Sequence, residues 1–243
     1  KERVEFRENN EEKYSLKEML QFLRYKPIWA AFAATLIVGT GSSIAGGAGA
    51  YFYTYVLGDM KLMSGVSVIG LIASLVGIVM GPYLANRFGK KKVYLTAVII
   101  STALNLLRLL DVTSMILIYI SALIGGVAGG WMVPVNTSIQ ADNTTYVQYK
   151  TGKRAEAAIA SLTSFVSKVA QGLGGAIPGY VIAAYGFVTG ASVQPESINT
   201  GIILCALILP LIFGILGLLI FGTQYTLDQK AVIEMDAKIN RNN

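Results

Sequence analysis

The sequence contains no histidine and a single cysteine among its 243 residues. Histidine is the commonest general base and metal ligand in proteins, and Cys205 alone cannot form a disulfide within the chain. Charged residues are also scarce, at 14% of the chain, and the apolar stretches hold no pair of carboxylates suited to hydrolysis. These absences argue against an enzyme, and we expect neither a bound cofactor nor a metal site.

Long uncharged stretches occupy most of the chain from residue 27 onward. Hydrophobic residues make up 53% of the sequence, and its mean hydropathy is +0.56. A bilayer core about 30 Å thick requires about 20 helical residues to cross it, and apolar stretches without alternation favour helices over barrel strands. We therefore predict an all-α membrane protein with six transmembrane helices, at 28–57, 65–86, 92–110, 113–140, 156–184 and 201–222.

The distribution of charge divides the chain into three parts. We predict a cytoplasmic linker and amphipathic helix at residues 1–27, a six-helix transmembrane bundle at 28–222 and a cytoplasmic tail at 223–243. Seven basic residues precede the first predicted helix, and ten more lie after the second and fourth helices and in the tail, whereas the opposite side has Lys61 and Arg108. Because basic residues gather on the cytoplasmic side, both termini are predicted to be cytoplasmic in a multi-pass protein of the cell membrane. This explanation of the net charge of +6 requires no nucleic acid partner.

Glycine and small polar residues are concentrated in three of the predicted helices. The first contains GTGSSIAGGAGAYFYTY, the fourth GGVAGGWMVPVNTS and the fifth SLTSFVSKVAQGLGG. Small residues allow helices to approach closely, but packing alone does not require the polar ones. We expect the first, fourth and fifth helices to enclose a cavity, and the second, third and sixth to face lipid or to support them.

Lys168 lies near the middle of the fifth predicted helix, about 20 Å from either end. A lysine at the bilayer centre costs about 2.5–3.5 kcal/mol, so its side chain should face protein or water. Ser161, Ser164, Lys168 and Gln171 fall on one helical face and form a predicted polar stripe into the cavity. No Asp or Glu occurs at comparable depth. A charged partner would therefore be a ligand or another chain, and a packing bond to a neighbouring carbonyl is the alternative.

Two segments resemble known transporters. GPYLANRFGKKK at residues 81–92 resembles the loop motif of the major facilitator superfamily, with Asn86 where the motif usually has an acid. ADNTTYVQYKTGKRAE at 141–156, followed by the Lys168 helix, resembles the loop between helices ten and eleven of the glycoside-pentoside-hexuronide:cation symporters, the family of melibiose permease. Three further segments resemble that family more loosely: KERV, SLKEMLQFLRYKP and YTLDQKAVIEMDAKI.

The resemblance implies the C-terminal half of a twelve-helix secondary active transporter. Its expected partners are a sugar or glycoside, a coupling cation that is Na+ or H+, the lipid bilayer and an N-terminal six-helix half. The expected activity is cation-coupled sugar symport by alternating access around a midplane site. A carrier of lipids or drugs on the same fold, and a six-span membrane scaffold protein, are the alternatives that the residues leave open.

The same resemblance implies the residues of a substrate and cation site. Lys168 matches the family's lysine at the junction of the sugar and cation sites, and Ser164 matches a hydroxyl residue one turn before it. Gln171 belongs to the same stripe. Trp131 and Asn136 form a predicted sugar-binding face, with packing as the alternative role for Trp131.

A second set of residues is predicted to act at the cytoplasmic end. Asp142 and Arg154 match charged positions that, in this family, help to close a gate against the other half of the transporter. Arg87, in the first loop motif, is predicted to belong to the same gate. Ordinary solvated charge is the alternative for Asp142 and Arg154.

Overall fold

The computed structural model describes residues 16–191 and 193–241, and within these ranges the chain is helical with connecting turns and no strand. Residues 1–15 of the predicted linker and amphipathic helix at 1–27, including KERV, lie outside the described residues. The helices in chain order are α1 (Leu16–Gln21), α2 (Lys26–Tyr51), α3 (Lys61–Phe88), α4 (Lys90–Arg108), α5 (Met115–Thr151), α6 (Glu156–Ala184), α7 (Ser197–Ile203), α8 (Leu209–Gln224) and α9 (Gln229–Arg241). A π-helical turn at Phe52–Val56 extends α2, and another at Leu204–Ile208 joins α7 to α8.

Four helical stretches are long and apolar enough to cross a membrane: Lys26–Val56, Lys61–Phe88, Met115–Thr151 and Ser197–Gln224. The prediction of an all-helical membrane protein is therefore confirmed, and these four stretches are its candidate membrane spans. The count of six spans stays a prediction, because α4 and α6 are not among the four. α4 begins with three lysines and ends at Arg108, and α6 carries Lys168 within its polar stripe, so both helices are less apolar.

α5 continues well beyond the predicted end of its span. The segment 141–151 was predicted to be a loop, and this prediction was wrong, because the helix runs without a break to Thr151. The segment is polar, but it contains neither glycine nor proline before Gly152, where φ is +72° and the helix ends. At 37 residues, α5 is about 55 Å long and must extend past a bilayer core about 30 Å thick.

The helices form an open row in which each packs against its neighbours. α2 lies between α6 and α8, α4 lies between α8 and α5, and α3 packs along α5. α2 and α5 make few direct contacts with each other, although α4 and α8 hold them side by side. This arrangement leaves a space between α2 and α5.

The interface between α3 and α5 depends on small residues. A Cβ atom at Gly126 would stand 2.7 Å from the Gly70 carbonyl oxygen, and one at Gly130 would overlap the carbonyl of Ser74. Such contacts bring the two backbones together, which is how helices in membranes pack without a hydrophobic driving force. On its other side α3 exposes large aliphatic residues such as Leu71, Ile72 and Val79, as expected of a helix that faces lipid.

The two ends of the described chain pack near the C-terminal end of α5. Phe22, just after α1, is buried in a cluster with Val147 and Ile159, whereas Leu20 of α1 is exposed. The predicted tail forms the helix α9, whose Val232 packs against the core formed with α4, α5 and α8. Both terminal segments therefore contribute to the packing of the bundle.

Candidate functional site

A cavity of about 540 Å³ lies between α2, α4, α5 and α8. Its polar lining comes from three of the four helices: Thr35 and Ser42 of α2, Ser101, Thr102 and Asn105 of α4, and Asn136 of α5. Thr35 donates a hydrogen bond of 2.9 Å to the Ala31 carbonyl within its own helix. Within the described ranges, none of the other five side chains has a hydrogen bond to a protein partner, so they are free to bind a ligand.

Small residues at helical spacing keep this cavity open. Gly39, Ser42 and Ala45 follow one another at intervals of three along α2, and Gly129 and Gly214 line the opposite walls. A Cβ atom at Gly129 would meet no other atom within 4 Å. Gly129 therefore leaves empty volume, whereas a Cβ atom at Gly214 would overlap the Thr102 hydroxyl and one at Gly39 would stand 3.2 Å from Ala170 Cβ.

The sequence predicted the wrong set of helices around the cavity. α4 and α8, the third and sixth predicted spans, supply part of its wall, whereas α6, the fifth, supplies none. The polar residues Ser101, Thr102 and Asn105 of α4 could have indicated this role, but they are few and stand among aliphatic residues. α6 instead packs against the side of α2, where Gly174 meets Ser43 and Gly47 meets Pro178.

The predicted polar stripe lies on an exposed face of α6. Ser161, Ser164, Lys168 and Gln171 are all exposed, so the predicted common face exists, but it does not line the 540 Å³ cavity. No carboxylate lies within ion-pair distance of Lys168 among residues 16–191 and 193–241. This charged face is therefore separate from the neutral polar cavity.

The two residues of the predicted sugar face lie in different environments. Asn136 is exposed and lines the cavity. Trp131 is 9% exposed and belongs to the core cluster, and its backbone faces Gly77 and Gly81 of α3. Trp131 therefore packs in the core, whereas Val133 lines the cavity wall, and the role of Trp131 at a sugar face stays a prediction.

Asp142, in the C-terminal part of α5, is bound within the chain. Its Oδ1 accepts a hydrogen bond of 2.6 Å from Lys90 Nζ, and both side chains are largely buried. Asp142 thus has a partner within this chain, and its role at a gate stays a prediction. The pair could not be predicted from the sequence, because the partners are 52 residues apart and Asp142 was assigned to a loop.

The other predicted gate residues remain at the surface. Arg154 is exposed between α5 and α6. Arg87 is exposed on α3, where it donates a hydrogen bond of 3.2 Å to the Tyr83 hydroxyl. Nearby, Lys91 Nζ donates to the Tyr225 carbonyl oxygen at 2.6 Å, which ties the start of α4 to the segment after α8.

No group of three or more carboxylate or cysteine side chains that could hold a metal ion occurs in the part of the chain that the structure describes. The ligands that the cavity offers are hydroxyl and amide groups, which suit hydrogen bonds to a neutral polar molecule. The site therefore has the character of a binding site and lacks the acid and base groups of hydrolytic catalysis.

Residues 1–229 match the family described as MFS/sugar transport protein. The chain is 30% identical to the uncharacterized symporter YjmB of Bacillus subtilis over 97% of this chain and 52% of that protein. It is 29% identical to the glucuronide carrier protein homolog of Escherichia coli over 91% of this chain and 50% of the relative. It is 28% identical to the isoprimeverose transporter of Lactiplantibacillus pentosus over 61% of this chain and 31% of the relative.

The chain spans about half the length of the first two of these relatives. The relatives are named as a symporter, a carrier and a transporter, which confirms the prediction that the chain is not an enzyme. The match also confirms the predicted resemblance to the glycoside-pentoside-hexuronide symporters. The chain therefore belongs to the sugar transport proteins of the major facilitator superfamily.

Proposed function

We propose that this chain forms the C-terminal half of a secondary active transporter that carries a sugar or glycoside together with Na+ or H+. An N-terminal six-helix half would complete a twelve-helix fold, and α4 and α6 would cross the membrane in addition to the four spans described above. The two halves would move against each other so that a site near the midplane opens to each side in turn.

The cavity between α2, α4, α5 and α8 is the observation that carries this proposal. Its volume of about 540 Å³ lies within the range of small-molecule sites, and hydroxyl and amide groups project from three of its walls. Ser42, Asn105 and Asn136 would bind sugar hydroxyls, each of which both donates and accepts hydrogen bonds. Apolar residues such as Val38 and Met132 would contact the less polar faces of the ring.

Coupling to a cation is assigned to the exposed stripe on α6. Lys168 has no carboxylate partner within the described chain, so a carboxylate of the N-terminal half would approach it. A cation and the ammonium group would then compete for that carboxylate, and Ser164 and Gln171 would supply neutral ligands beside it. The separation of this stripe from the cavity supports two distinct sites, one for the sugar and one for the ion.

The orientation follows from the basic residues. Lys90, Lys91 and Lys92 mark the cytoplasmic end of α4, and Arg154 follows the extended end of α5 on the same side. We propose that both termini are cytoplasmic in the cell membrane. Arg154 and Arg87 would contact the other half when the inner side closes, whereas the Lys90–Asp142 pair would hold α4 to α5 in every state.

Uptake by the complete transporter in vesicles tests the proposal. Labelled glycosides are offered under a Na+ gradient, a H+ gradient or no gradient, with wild type, Lys168→Gln and Lys230→Gln, a matched control in the exposed start of α9. We expect wild type and the control to concentrate the sugar under one gradient. Lys168→Gln should bind sugar but lose concentrative uptake by about 100-fold, since the competing charge is gone.

Two results would contradict the proposal. If uptake in Lys168→Gln keeps the same dependence on the gradient, Lys168 plays no part in coupling. If wild type transports no sugar but carries lipids or drugs, the family fold serves one of the alternative cargoes and the cavity has been assigned the wrong substrate class.

A further inference from the structure

A second cavity, of about 240 Å³, adjoins the first. The two share Ser101 and Asn105 on α4, and the wall of the second also includes Tyr53 and Arg108. Ser101, Asn105 and Arg108 are spaced by four and three residues, so they lie on one face of the helix. One face of α4 therefore leads from the neutral cavity to a guanidinium group about 10 Å further along the helix.

The Arg108 guanidinium has no anionic partner in the described chain. It lies 5.0 Å from the centroid of the Phe52 ring, and its Nε is buried without a hydrogen bond among the residues that the structure describes. Asp111, three residues away, accepts hydrogen bonds from the amide and hydroxyl of Thr113 instead. Buried polar groups normally have partners, and a guanidinium group is suited to binding carboxylates.

Neutral groups surround the guanidinium on several sides. Tyr53, Ser101, Asn105 and Ser121 line the second cavity, and none of these side chains makes a hydrogen bond to protein within residues 16–191 and 193–241. A carboxylate beside Arg108 could accept hydrogen bonds from several of them at once. The cavity thus combines one positive charge with unused donors, which is the composition of an anion site.

We propose that Arg108 binds the carboxylate of an acidic sugar whose ring occupies the larger cavity. The inference rests on the proposed function and narrows its substrate class, because a neutral sugar would leave the guanidinium unpaired. Both cavities are lined by Ser101 and Asn105, which places the guanidinium beside the sugar cavity and favours a substrate group over a lipid phosphate. A phosphate of the bilayer would have no reason to extend into the sugar cavity.

Uptake of two matched sugars, one acidic and one neutral, measures the preference for a carboxylate. The complete transporter in vesicles takes up methyl glucuronide or methyl glucoside, which differ at one carboxylate, in wild type, Arg108→Gln, Arg108→Lys and Lys61→Gln. Arg108→Gln should raise KM for the glucuronide about 10- to 100-fold, with a change for the glucoside at least tenfold smaller. Arg108→Lys should restore part of the preference. Lys61→Gln, which alters an exposed cation at the same end, should change neither KM.

Several results would overturn the inference. Equal losses for the two glycosides in Arg108→Gln would make Arg108 a structural residue while sugar transport stands. If the wild type takes up the glucoside but not the glucuronide, the proposed binding of a carboxylate by Arg108 is wrong, while the proposal of sugar transport stands. Absence of saturable uptake of any sugar would reject the proposed function and this inference together.

A second variant covers the case in which Arg108→Gln does not insert. Tyr53→Phe keeps the ring and removes the hydroxyl group that faces the second cavity. We expect KM to rise about fivefold for the glucuronide and less than twofold for the glucoside. Equal changes for the two sugars would reject the subsite.

Discussion

The two sides of α5 use similar residues for opposite purposes. Towards α3, Gly126 and Gly130 allow backbone contact, and an added Cβ atom would collide with the facing helix. Towards α2, Gly129 and Asn136 line an empty volume, and a Cβ atom at Gly129 would touch nothing. Glycine content alone therefore does not distinguish a packed interface from a binding cavity, since the neighbouring helix decides which one forms.

The largest difference between the two sides should come from adjacent glycines. Gly130→Ala places a methyl group into the Ser74 carbonyl and forces α3 away from α5, so we expect the yield of folded transporter to fall more than tenfold. Gly129→Ala is the matched control and should fold normally, because its methyl group enters the cavity and alanine favours the helix. Size-exclusion chromatography after detergent extraction measures both yields. Similar yields for the two variants would contradict the assignment of the packed side.

The buried ion pair at the end of α5 should have the next largest effect. Asp142→Asn leaves the Lys90 ammonium without its counter-charge, and we expect a loss of about 3 kcal/mol in stability. The thermal midpoint in detergent should therefore fall by several degrees. Asp228→Asn changes an exposed acid after α8, so the midpoint should change by less than about 1 degree and the stability by less than about 0.5 kcal/mol. Equal midpoints for the two variants would show that the Lys90–Asp142 contact does not hold α4 to α5.

Substitutions on the cavity side of α5 should weaken sugar binding and hardly change the stability of the protein. Asn136→Ala removes an amide that can bind a sugar hydroxyl, so we expect the KM for uptake to rise about five- to tenfold. Thr137→Ala is the neighbouring control, because Thr137 is exposed, bonds to the Val133 carbonyl and does not line the cavity. A larger effect of Thr137→Ala than of Asn136→Ala would place the sugar elsewhere.

Hydrophobic patterning predicted much of the fold. The helical class and the approximate position of each long helix follow from apolar stretches that the chain cannot bury in any other way. The end of α5 was missed because residues 141–151 are polar, and polarity was taken to mark a loop. Absence of glycine and proline before Gly152 was the more reliable signal.

The site was less predictable, because it depends on which helices meet. Asn136 was singled out from its place in a polar segment and lines the cavity, whereas Trp131, five residues before it, faces the core on the opposite side of α5. The contribution of α4 was missed since its hydroxyl residues are diluted among aliphatic ones, and the Lys90–Asp142 pair joins segments that no local pattern connects. Lys168 was singled out because a charge in an apolar stretch is conspicuous, and its role in coupling stays a prediction.

Substrate protection of a single thiol tests the central claim, that the cavity between α2, α4, α5 and α8 holds the sugar. In a Cys205→Ala background, Ser42→Cys places a thiol on the cavity wall with little change in size, and Thr137→Cys places one on exposed α5 surface outside it. A saturating transported glycoside should slow alkylation of Ser42→Cys about tenfold or more and leave Thr137→Cys unchanged. Unchanged alkylation of Ser42→Cys, in protein that still transports the glycoside, would contradict the account.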